Sequence, residues 1–229
     1  MNSMGELSWD KIKLVVFDVD GTLYGQRGLR LRMLKEMLLF AARNRTIEFI
    51  KILRVYRHLR EELGESQRED FERELIARTA KIVGCSEALV EATAEEWLEQ
   101  RPLPHLIRYR YAGLTELFKS LRAQGKLIGV FSDYPAQLKL KAMNLDADFV
   151  VCATDKDIGV LKPHPKGLQV LMARAAVNPE ETVLIGDRAE RDGLAAQAAN
   201  THALILSRKA LEGWQTFDRY DDPLFSTVI

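Results

Sequence analysis

Four short stretches of the chain hold residue types that can do chemistry together. The first is Asp18-Val19-Asp20-Gly21-Thr22. Two carboxylates at alternate positions where a strand ends can point the same way, so that one attacks an electrophile while the other handles a proton. The plainer use of such a pair is an acidic turn that starts a helix. The second stretch, Val130-Phe131-Ser132-Asp133, offers a hydroxyl able to hydrogen-bond a phosphoryl oxygen, although a serine in that place commonly caps the following helix. In the third, Leu161-Lys162-Pro163-His164-Pro165, paired prolines stiffen the backbone around Lys162; in isolation it reads equally well as a solvated lysine in a rigid turn. The fourth runs from Ile185-Gly186-Asp187 to Asp192. Aspartates around a turn and a helix start cap helices or offset their dipoles, but hard oxygen ligands near Asp18 are also what magnesium takes, with waters and phosphate oxygens.

These stretches need elements to position them, and the apolar pattern supplies them. Leu14–Phe17 is a continuous apolar run, which reads as a strand buried on both faces of a parallel sheet. The next comparable run is Leu127–Phe131, followed by Phe149–Cys152, Val183–Ile185 and Ala203–Leu206. Helical patterns at 114–124, 135–144, 166–177 and 190–199 alternate with them, with Gly125 and Asn200 as helix stops. Strand and helix in alternation predict an α/β fold with a Rossmann-like parallel sheet. All four motifs then fall at strand exits, the edge where open α/β sheets hold ligands.

Residues 25–110 follow another rhythm. Leu34, Met37, Leu38 and Ala41, then Phe49, Ile52, Leu53, Tyr56 and Leu59, recur at threes and fours, which predicts amphipathic helices, with Gly64 and Gly84 as punctuation. The expected organisation is a core of residues 11–24 and 111–210, a helical insert at 25–110 hinged near 24–26 and 110–113, and a tail at 211–229 packed on the core through Trp214, Phe217, Tyr220 and Phe225.

The composition excludes several function classes. Lys+Arg and Asp+Glu both number 33 and 47% of residues are apolar, so a sizeable core is expected and no global field points to nucleic acid or membrane. Ten Lys/Arg against two Glu over 27–60 make that part of the insert basic, which reads as a solvated face balanced by the acidic residues of 61–99. The first thirteen residues hold no stretch suited to a signal peptide, and Leu14–Phe17 is too short to span a bilayer. Cys85 and Cys152 lack metal-ligand spacing and form no disulfide framework. A reducing, cytoplasmic setting follows; the oligomeric state is left open.

Taken in order, Asp-x-Asp-Gly-Thr, Ser, Lys-Pro-x-Pro and Gly-Asp-x-x-x-x-Asp resemble the haloacid dehalogenase (HAD) superfamily, in its phosphatase branch with a helical cap, of the phosphoglycolate phosphatase type. The resemblance covers 11–24 and 111–207. It implies strand order five-four-one-two-three, with the insert as a cap over the site. It also implies Asp18 as nucleophile, Asp20 as general acid and base, and Ser132 and Lys162 as phosphoryl binders. Asp18, the Asp20 carbonyl and Asp187 would hold Mg2+, with Asp192 a ligand through water or a support for the ligands. The expected activity is magnesium-dependent hydrolysis of a small phosphorylated metabolite through an aspartyl-phosphate. A phosphomutase could share every one of these residues. A haloacid dehalogenase needs neither a proton donor nor magnesium, because halide leaves as a stable anion, and an idle binding module would be expected to lack a carboxylate or the lysine. Arg27, Arg30 and Arg32, just past the first motif, could meet an anionic substrate or simply be surface arginines.

Overall fold

The computed structural model describes residues 7–66 and 70–228; the opening six residues, part of the stretch read as lacking a signal peptide, lie outside them. Strand β1 (Leu14–Phe17) is buried along its whole length and divides its side chains by the two-residue period of a strand. Val15 and Phe17 enter one apolar cluster with Ile128, Val130, Val183 and Ile185, while Leu14 and Val16 enter another with Phe131, Leu171 and Leu184. An uninterrupted apolar run is what a strand covered on both faces requires.

After β1 the chain leaves the sheet for α1 (Gln26–Asn44), α2 (Glu48–Ser66), α3 (Phe71–Val83), α4 (Glu87–Ala94), a π-helical stretch at Glu95–Gln100, and α5 (Leu103–Tyr109). The outgoing and returning segments pair with each other: Gly25 N–H donates to Tyr109 O at 2.9 Å and Tyr111 N–H to Leu23 O at 3.1 Å. The insert leaves and returns to the sheet through this antiparallel neck. Phe49, Ile52, Leu53, Tyr56 and Leu59 are all buried, as their spacing predicts.

Two readings of the insert are corrected. On α1 the buried residues are Leu29 and Met33, while Leu34 and Leu38 are 51% and 58% exposed. The inward stripe continues through Met37, Phe40 and Ala41, so the expected stripe is rotated by about one residue; leucines on both sides of the helix blur its period. Gly84 does end α3, at φ 81°, but Gly64 lies inside α2, where it serves a close approach described below.

The chain re-enters through α6 (Leu114–Ala123) and continues with β2 (Leu127–Ser132), α7 (Gln137–Ala142), β3 (Phe149–Cys152), α8 (Lys166–Ala175), β4 (Thr182–Gly186), α9 (Leu194–Ala198), β5 (His202–Leu206) and β6 (Gln215–Phe217). The sheet is parallel throughout, in the order β3-β2-β1-β4-β5-β6. Gly125 and Asn200 stand just past helix ends in the left-handed region, as their residue types allow. Strand β6 was not legible: it is three residues long at the sheet's edge, within the part read only as a packed tail. Among the described residues no helix is long and apolar enough to cross a membrane.

Tyr220 is 1% exposed, and its hydroxyl donates to Thr22 O at 2.7 Å, which ties the tail to the loop after β1. Tyr220→Phe leaves that buried carbonyl short of a donor and is expected to cost about 1–2 kcal/mol. Tyr220→Ala should cost about 3–5 kcal/mol through the cavity it opens. Urea unfolding of the two variants measures both.

Candidate active site

Asp18 continues the β1 ladder by donating its N–H to Ile185 O at 2.9 Å, which fixes its side chain at the carboxyl edge of the sheet. One carboxylate oxygen accepts from Lys162 Nζ at 2.5 Å and the other from Thr22 Oγ1 at 2.9 Å. Lys162 spends its remaining protons on Asp192 Oδ1 at 2.7 Å and Phe131 O at 3.1 Å. The second oxygen of Asp192 accepts from Arg188 N–H at 3.0 Å. Gly21 sits at φ +109°, and a Cβ there would lie 2.1 Å from Asp187 Oδ2; only a bare backbone lets that carboxylate approach the first motif. Asp18, Asp187 and Asp192 each place an oxygen within 4.8 Å of the others. Ser132 ends the neighbouring strand, fully buried, with Oγ accepting from Tyr134 N–H at 3.2 Å. Asp133 Oδ1 receives Lys162 N–H at 3.0 Å and so holds the lysine segment.

Asp20 turns to a different set of partners. Lys139 Nζ donates to its two oxygens at 2.7 and 2.6 Å, and the Tyr24 hydroxyl donates to Oδ1 as well. Its backbone carbonyl, a magnesium ligand by the family resemblance, accepts from the Gln26 side chain. The sequence reading missed Lys139, Tyr24 and Gln26. A signal for Lys139 existed: it shares a helix face with buried Ala136, Leu140 and Met143, and it is itself buried, a placement that lysine tolerates only when paired. Arg27, Arg30 and Arg32 are exposed; Arg32 pairs with Glu36 and Arg30 with Gln26.

The electrostatics follow from three carboxylates sharing one ammonium. Burial pushes the Asp187 carboxyl up to about 7, reinforced by the charge of Asp192. Burial likewise raises Asp18, with Lys162 opposing and Asp192 and Asp187 reinforcing the rise. Burial works against the charge of Lys162, but Asp18 and Asp192 outweigh it and hold the ammonium well above its ordinary value. For Asp20 burial is again opposed and outweighed, here by Lys139 and Tyr24, so that carboxyl lies below its ordinary range. A divalent cation fits this centre. The donors are all hard oxygens, they converge, and they carry more negative charge than the lysine offsets.

The haloacid dehalogenase-like hydrolase family model matches residues 12–200, from just before β1 to just past α9. The chain belongs to that family. It is similar to Pyrophosphatase PpaX of Bacillus mycoides (strain KBAB4), 26% identical over 207 residues that cover 86% of this chain and 84% of the relative. Among solved structures it is similar to the HAD hydrolase YfnB of Bacillus subtilis bound to magnesium, with a TM-score of 0.69, 17% identity, and 95% and 98% of the two chains covered. A 2-haloacid dehalogenase of Pseudomonas syringae pv. Tomato DC3000 matches with a TM-score of 0.63, 20% identity, and 91% and 95% coverage. The fold is therefore that of the family, and the protein is a hydrolase; what bond it cleaves is a matter for its own residues.

Because burial holds the folded Asp187 carboxyl up at about 7, above the ordinary carboxylate range, its ionisation opposes folding, and the cost develops as pH rises from about 4 through 7. In chelator at pH 8, Asp187→Asn should stabilise the chain by on the order of 3 kcal/mol, and the gain should vanish below about pH 4. Thermal unfolding of both proteins across that range tests it; an equal gain at every pH would disprove the electrostatic cause.

Proposed function

We propose that the protein is a magnesium-dependent phosphohydrolase that acts on a small phosphorylated metabolite in a cytoplasmic setting, with Asp18 as covalent nucleophile. The observation that carries this reading is the Asp18 carboxylate held by Lys162 and Thr22 beside Asp187 and Asp192. Asp18, Asp187 and the Asp20 carbonyl would hold the ion, with Asp192 fixing Lys162 and the loop. Magnesium, when bound, supplies positive charge that offsets the repulsion between a carboxylate and a phosphate dianion. Lys162 adds to that field, and Ser132, at the next strand end, would donate to a phosphoryl oxygen. The free thiols of Cys85 and Cys152 accord with a reducing setting.

Asp18 attacks phosphorus, a P–O bond to its carboxylate forms, and the bond to the leaving oxygen breaks. Asp20 gives that oxygen a proton, then takes one from the water that attacks the aspartyl-phosphate and releases inorganic phosphate. The insert acts as a cap: Arg60 of α2 donates to Asp133 O, and Glu99 and Leu103 face Pro135–Lys139 and Thr154 across a cavity of about 250 Å³ at the same edge. Such a cover excludes bulk water and strengthens the field on the phosphate. A dehalogenase would have no use for Asp20 or for three convergent carboxylates. A phosphomutase would use them all, and analysis of the released phosphate separates the two.

A second reading concerns the bond cleaved. Lys139 places two hydrogen bonds on Asp20, which favours its ionised form and suits a leaving group that needs little protonation, such as phosphate released from a phosphoanhydride. The relatives named pyrophosphatases point the same way. Phosphate release from pyrophosphate compared with phosphomonoesters decides between them.

Excess chelator is expected to abolish turnover and magnesium to restore it. Asp18→Asn should lower kcat at least about 10³-fold and leave no phosphorylated enzyme on rapid quenching. Asp20→Asn should slow the phosphoryl-transfer step more for an alkyl than for an aryl phosphate, because aryl oxide leaves more readily without a proton. Equal slowing in rapid mixing would remove Asp20 as proton donor, and near-normal turnover of Asp18→Asn would remove the nucleophile.

A further inference from the structure

Outside the catalytic carboxylates, a charged cluster joins the helical insert to the loop between Asp187 and Asp192. Arg188 forks onto Glu61 of α2, with Nη1 donating to Oε1 at 3.0 Å and Nη2 to Oε2 at 3.1 Å. Arg191 Nη2 donates to the same carboxylate at 2.9 Å and to Glu61 O at 3.0 Å. Arg191 Nη1 donates to Lys162 O at 2.7 Å. One guanidinium therefore touches the insert, belongs to the loop that carries Asp187 and Asp192, and holds the backbone of the lysine that neutralises Asp18.

Gly64 gives this contact its space. A Cβ at that position would stand 2.2 Å from Arg191 Nη1, so α2 can approach only where it has no side chain, one turn beyond Glu61. Arg191 is 6% exposed, and a buried guanidinium deprived of its carboxylate is costly. The loop itself is an uncommon π turn, Ala189–Gly193, in which Gly193 N–H donates to Arg188 O at 3.4 Å. Single π turns often lie at functional sites.

We infer that Glu61 is a positioning residue: from the insert, through Arg188 and Arg191, it sets the conformation of the loop that presents Asp187 and Asp192, so that docking of α2 and assembly of the metal centre are coupled. The inference rests on the reading that these carboxylates hold magnesium. It extends that reading to a residue that touches neither metal nor substrate and lies more than a hundred positions away in sequence. A staple that served only to hold the two parts together would cost stability and leave metal affinity alone; a positioning residue changes affinity.

The experiment is calorimetric titration of the full chain with Mg2+ without substrate, for wild type, Glu61→Gln and Gly64→Ala, together with melting temperatures and steady-state kinetics. Glu61→Gln removes the charge and keeps the shape. Gly64→Ala keeps the charge and displaces the guanidinium, and alanine favours the helix. Both should weaken Mg2+ binding by roughly tenfold, the lower end of what loss of an outer partner costs a metal site, and both should raise KM by a larger factor than they lower kcat. Variants that bind Mg2+ as tightly as wild type, with only the melting temperature lowered, overturn the positioning role and leave the proposed function standing. A wild-type chain that binds no Mg2+ overturns the proposed function and this inference with it.

Discussion

Lys162 is 1% exposed at the carboxyl edge of the sheet. A buried ammonium is costly unless it is paired and fully hydrogen-bonded. Asp18, Asp192 and Phe131 O provide those partners and come from three separate places in the chain: the ends of β1 and β2, and the loop after β4. The requirement fixes how those strand ends sit relative to one another. It also fixes the sign of the problem left over, since Asp187 joins the same group as a further negative charge. The site is thus built around an imbalance that destabilises the chain on its own and makes a cation welcome.

That imbalance separates the two acidic residues of the first motif. Asp18 points into the group of carboxylates, while Asp20 is drawn to the other side by Lys139 and Tyr24. Two like residues two positions apart thereby acquire opposite tendencies, one raised by burial and its acidic neighbours and the other lowered by an ammonium. These directions are the reverse of what an ionised nucleophile and a protonated general acid need: a cation beside Asp18 would favour its ionised form, and Asp20 would have to leave Lys139 to carry a proton.

The sheet was legible because its signal is local: Leu14–Phe17, Leu127–Phe131 and Val183–Ile185 are uniformly apolar, and each ends in a polar residue or a glycine with room to turn. The four motifs were legible for the same reason, as short runs with fixed internal spacing. What escaped were contacts between distant segments. Nothing in the neighbourhood of Lys139 names Asp20 as its partner, and nothing near Gly64 names Arg191; the sequence showed only a helix stop where the fold uses an absent side chain. Helix α1 was misread in phase because Leu31, Leu34, Leu38 and Leu39 are apolar yet exposed, so hydrophobicity alone could not say which side faced inward. Strand β6 escaped because three residues at an edge carry too little pattern.

The position of β1 has a consequence for synthesis. It is the central strand and is made first, yet its partners on both sides come late: Leu14 pairs with Leu127 and with Thr182. Ribosomes add about 5–20 residues per second, so this wholly apolar strand emerges many seconds before any other strand can cover it. The helices of 26–109 close through contacts near in sequence, which form quickly, and the neck between Leu23 and Tyr111 then brings the two ends of that bundle together. A nascent chain that completes the bundle first therefore delivers β2 to the side of a waiting β1 and shortens the loop that the sheet must otherwise close.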